Sequence, residues 1–75
     1  MTIYSILKDS GVKFSKEDCN KIGAITSKSV TKIDRVKQTE TFDGKEQFAY
    51  VNVYSSQDKE AIYEIISNYY TNKTL

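Results

Sequence analysis

A chain of 75 residues with eleven basic and ten acidic side chains, one cysteine and no histidine fits a single domain, near the lower size at which a hydrophobic core suffices without metal or disulfide. Cys19 has no second cysteine to bridge and no histidine to share a zinc ion, so neither a disulfide framework nor a cofactor or metal centre is expected. General acid–base chemistry at neutral pH has no histidine to use, which argues against an enzyme.

No run approaches the roughly 18 apolar residues that cross a bilayer. No charged-then-apolar leader opens the sequence, so a cytoplasmic protein without membrane attachment is expected. The formal charge of +1 is small but unevenly spread. Residues 12–37 carry seven bases against three acids, and residues 38–75 three bases against six acids.

Thr2 can cap a first helix over residues 2–10, with Ile3, Ile6 and Leu7 on one side and Gly11 suited to the left-handed position that ends it. The second helix, residues 16–31, has a stronger start and a weak serine- and threonine-rich end at which fraying after Ser29 is expected. Ser15 stands at the N-cap, Asp18 three residues on completes a capping box, and Phe14 and Cys19 are spaced for a hydrophobic staple. Cys19, Ile22, Thr26, Val30 and Ile33 recur at spacings of three and four and predict a core stripe, beside which Gly23 would permit close approach of another element. The opposite side carries Asn20, Lys21, Ser27, Lys28, Thr31 and Lys32, hydroxyls, amides and lysines of the kind that face nucleic acid.

A β-hairpin follows, with strands at 34–42 and 45–54. Asp43-Gly44 between two β-rich runs is a strong signal for a two-residue turn. With Phe42 opposite Lys45, alternation puts Val36, Gln38, Glu40, Phe42, Gln47, Ala49, Val51 and Val53 on one face. Arg35, Lys37, Thr39, Thr41, Phe48, Tyr50, Asn52 and Tyr54 fall on the other, a surface of cations, hydroxyls and rings. A third helix over residues 57–71, capped by Ser55 or Ser56, presents Ile62, Ile65, Ile66 and Tyr69 as a buried stripe expected to lie across the apolar face of the hairpin.

The fold expected is thus α+β, in the order helix, helix, β-hairpin, helix. The stretch Gly-Val-Lys-Phe-Ser-Lys-Glu-Asp-Cys-Asn-Lys-Ile-Gly at residues 11–23, preceded by Ile6-Leu7-Lys8 and followed by Val51-Asn52-Val53-Tyr54 and Tyr69-Tyr70, resembles small phage-encoded winged-helix-like proteins. That resemblance implies a helix-turn-helix with a β-ribbon wing and a phage origin. Lysine, serine and threonine stand where such recognition helices carry arginine, which shifts the expected contacts from guanine edges toward phosphates.

Two functions follow. A DNA-binding regulator or accessory factor would use Lys21, Lys28, Thr31, Lys32, Arg35, Lys37 and Lys45. A protein-binding inhibitor or adaptor acting on a host enzyme would use Phe48, Tyr50 and Tyr54, since aromatic rings anchor interfaces and an open ribbon edge invites a partner strand or a second copy of the chain.

Overall fold

The computed structural model describes residues 1–73. Helices α1 (Ile3–Ser10) and α2 (Lys16–Ser29) lead into an antiparallel ribbon of β1 (Asp34–Phe42) and β2 (Lys45–Val53), and a 3-10 turn at Ser56–Asp58 opens helix α3 (Lys59–Lys73).

Local chemistry sets most of these boundaries. Thr2 caps α1 by accepting from the Ser5 amide, and Gly11 ends it at φ 76°. At α2 the capping box is complete: Ser15 Oγ accepts from the Asp18 amide and Asp18 Oδ2 from the Ser15 amide, each at 3.1 Å. The ribbon turns on Asp43 (φ 53°) and Gly44 (φ 76°), both in the left-handed region that a two-residue hairpin turn matched to strand twist requires. Phe42 therefore pairs with Lys45, Glu40 with Gln47 and Arg35 with Asn52.

Three expectations give way to tertiary structure. First, α2 stops at Ser29 instead of continuing to residue 31, and Val30 turns to extended backbone at φ −125°. The serine-rich end and the β-branched residues after it hold helix weakly. Ile33 therefore leaves the core stripe, lies 65% exposed and donates its amide to the Val53 carbonyl at 2.8 Å. Thr31 and Lys32 consequently belong to the linker and not to a helix face.

Second, Tyr54 is not on the outer ribbon face. The chain leaves the ribbon at Val53 because Tyr54 pairs with the N-terminus: its amide donates to the Met1 carbonyl at 2.7 Å and the Met1 ammonium to its carbonyl at 2.8 Å. Its ring, 1% exposed, joins the core with Leu7, Ile22, Ile62 and Ile66.

Third, α3 packs principally against α2 and not across the hairpin. The inner ribbon face is only partly apolar, and α1 meets its polar groups. Thr2 Oγ1 donates to Gln38 Oε1, Gln38 Nε2 donates to Ser5 Oγ, and the Thr41 amide donates to the Tyr4 hydroxyl. The rings of Tyr4, Phe14 and Phe42 close the turn-proximal end, edge to face, at 5.6–5.9 Å. That leaves Ile62 and Ile66 for the core between the helices, with Ile65 and Tyr69 half-buried at its rim. Gly23 has no close neighbour, since a Cβ there would meet nothing within 4 Å.

Candidate nucleic-acid interface

Counting outward from the turn places Thr39 opposite Phe48, Lys37 opposite Tyr50 and Arg35 opposite Asn52 on the solvent side of the ribbon. Phe48 is 70% and Tyr50 67% exposed. Lys37 leans diagonally across the ribbon, its Nζ 4.7 Å from the Phe48 ring centroid, which keeps a cation and a ring face together. At the next pair Arg35 donates to Asn52 Oδ1 at 2.8 Å.

Asn52 links this face to the end of α2. An open hollow of about 360 Å³ there is lined by Lys28, Ser29, Thr31, Lys32 and Asn52 among others, and among the described residues no carboxylate lines it. The structure thus gathers Lys28, Thr31, Lys32 and Arg35 around Asn52 at one end of the ribbon, with Lys37, Tyr50 and Phe48 following along its outer face.

Two of the expected cations lie elsewhere. Lys21 is 2.8 Å from Glu17, one turn earlier on α2, and lines the groove facing α3 together with Ile65 and Tyr69. Lys45 stands at the turn, about 23 Å along the strand from Asn52 at the usual rise per residue. Tyr54, as described above, is inside.

Two carboxylates matter more than the sequence pattern indicated. Asp18 is buried. Besides its capping bond, its Oδ1 accepts from the Tyr69 hydroxyl at 2.7 Å and the Lys73 ammonium at 2.6 Å. The Lys73 bond, helped by Tyr69 and the Ser15 amide, holds its carboxyl well below the usual carboxylate range despite burial. Glu40 is 5% exposed on the inner face of β1. Burial pushes its pKa up, only partly offset by the charge of Lys16. An acid at an inward position of the strand alternation was the available signal for Glu40; nothing in the sequence spacing connected Asp18 to residues 51 and 55 positions away.

Cys19 is a free, buried thiol whose pKa burial raises to about 11, with a smaller contribution from Glu40. Among the described residues no group of metal-ligating side chains assembles, and no helix is long and apolar enough to cross a membrane. Set against known protein families, curated proteins and solved structures, the chain finds no match in any of the three.

Proposed function

We propose that this chain is a non-enzymatic DNA-binding module, of the kind used by small phage regulators and accessory factors, that holds a strand on the outer face of its ribbon. The observation that carries the reading is the pair of exposed rings, Phe48 and Tyr50, on a face shared with Lys37 and Arg35. Two exposed rings adjacent on one face form an apolar patch of the kind that marks a binding surface, and rings beside cations are how proteins stack bases while neutralising phosphates.

Bases stack on Phe48 and Tyr50, and the phosphates reach Arg35 and Lys37 and then Lys28 and Lys32 at the end of α2. A helix-turn-helix would instead insert the N-terminal residues of its second helix into the major groove. Here that end of α2 is tied to α3 through Asp18, so the contact falls to the ribbon and single-stranded or distorted DNA is the preferred form.

Fluorescence anisotropy with a mixed-sequence single strand and the matching duplex tests this. Four neutralised phosphates give a log–log salt slope of about −3 for a single strand. Tyr50→Ala is expected to weaken binding about 5- to 150-fold, the range for loss of one stacked base, and Lys28→Glu with Lys32→Glu to abolish it. Absence of binding in dilute salt, or binding indifferent to Tyr50→Ala, contradicts the proposal. The same two rings would anchor a protein partner in the inhibitor reading. An interaction that is insensitive to salt, yet lost with Tyr50→Ala, would favour that reading.

A further inference from the structure

Behind the stacking face, a cleft of about 220 Å³ opens between α2 and β2. Cys19, Asn20 and Gly23 form its helix side, Ala49 to Asn52 its strand side, and Glu40 lies within it. At that volume it is smaller than the roughly 300–1,000 Å³ sites that take drug-sized ligands. It suits one planar group.

Two features of the cleft lack a purely structural reason. Glu40 is more than nine-tenths buried, and among the described residues none donates a hydrogen bond to its carboxylate. Its carboxylate oxygens keep contact with solvent through the cleft, since among the described residues the Tyr70 hydroxyl alone is a fully buried side-chain polar atom without a partner, so a ligand entering the cleft can reach them. Lys16, whose charge acts on Glu40, donates to Gln47 Oε1 at 3.1 Å and not to the carboxylate. Gly23, in the middle of α2, costs about 1 kcal/mol against alanine, yet no neighbouring atom requires its missing side chain. Its absence keeps the cleft open.

We infer that this cleft receives one unpaired nucleobase bearing an amino group, with Glu40 accepting from its donor edge and guanine the best fit. The inference rests on the DNA-binding reading and adds base selectivity to it. Guanine presents an imino and an amino N–H side by side, matching the two carboxylate oxygens; cytosine offers its amino group alone, and thymine's single imino N–H lies between two carbonyls that a carboxylate repels. Tyr50, Arg35 and Asn52 line both the cleft and the outer face, so a strand stacked on the ribbon can turn a base over the β2 edge. The other bidentate donor of this shape is an arginine side chain of a protein partner. Arg35 at the mouth, with Lys28 and Lys32 beyond it, disfavours a cationic group and favours one that brings phosphate.

The test compares a thymidine dodecamer with the same strand carrying one central guanine, using the full chain. Wild type is expected to bind the guanine strand about tenfold tighter, within the range for one bidentate base contact. Glu40→Gln, which removes a buried charge and keeps the fold, should erase that preference while leaving affinity for the thymidine strand unchanged. Gly23→Leu, which fills the cleft from the helix side, should do the same. Equal binding of both strands by wild type, or a preference that survives both variants, overturns the inference and leaves the DNA-binding reading standing. Failure to bind either strand overturns both. Stronger perturbation of the Gly23 amide by agmatine than by guanosine monophosphate in NMR titration would assign the cleft to a protein's arginine and overturn the inference as well.

Discussion

Three buried groups test the structure one residue at a time. Asp18 serves a cap and two long-range bonds at once. Its folded pKa lies below its unfolded one, so its contribution is present above the ordinary aspartate value of about 4 and is lost as pH falls below it. Urea midpoints measured from pH 2 to 7 should fall on the acid side in wild type and much less steeply in Asp18→Asn, which is less stable at pH 7. Glu40 has the opposite sign: its folded pKa is raised, so ionising it opposes folding, and protonation relieves the opposition. Glu40→Gln should therefore raise the midpoint at pH 7, by an amount that shrinks as pH drops toward 4. Cys19, buried in the wall of the cleft and held protonated well above pH 8, should react with a maleimide at pH 8 far more slowly than an exposed cysteine; labelling at the rate of a free thiol would show that the thiol is not where it is described.

At the scale of elements, the ends set by local chemistry and the ends set by tertiary contact behave differently. Ser15→Ala should cost about 1 kcal/mol, the usual worth of an N-cap. Gly23→Ala should gain about the same amount, because a methyl there meets open space; a loss of stability in thermal melts would mean that α2 and β2 are closer than described. The hairpin and both caps of the N-terminal half were legible because each depends on a few adjacent residues: Asp43 and Gly44 for positive φ, Ser15 and Asp18 for reciprocal bonds. From that turn, the exposed positions of Lys37, Phe48 and Tyr50 followed by counting. The end of α2 was half legible: its serine- and threonine-rich stretch marks fraying after Ser29, where the helix stops, but the three-and-four spacing runs on through Val30 to Ile33, and Ile33 is drawn off by pairing with Val53. Tyr54 was misplaced for a similar reason, its pairing with Met1 spanning almost the whole chain. The neighbour of α3 was hidden too, because periodicity tells which isoleucines are buried but not against what. Glu40 could be placed inward from sequence; its lack of a donor could not.

The whole molecule rests on one small core in which Leu7, Ile22 and Ile62 are fully buried. Truncating any of these to alanine is expected to cost about 2–5 kcal/mol, against a total of roughly 5 kcal/mol for a domain of this size. Ile62→Ala should therefore melt at a much lower temperature than wild type and be partly unfolded at 25 °C, as read by circular dichroism. The charge polarity of the sequence also resolves in three dimensions. The basic residues at the end of α2 and the start of β1 meet around Asn52, on the ribbon whose outer face carries the exposed rings, whereas Lys21 and Lys73 are drawn onto Glu17 and Asp18. The most direct measurement of the central claim is a titration of the ¹⁵N-labelled protein with a short single-stranded DNA, followed by amide shifts. The account predicts that perturbations concentrate at residues 28–32, 35–39 and 48–52; shifts centred instead on the α2–α3 groove at Ile25 and Ile65, or none at all, would contradict it.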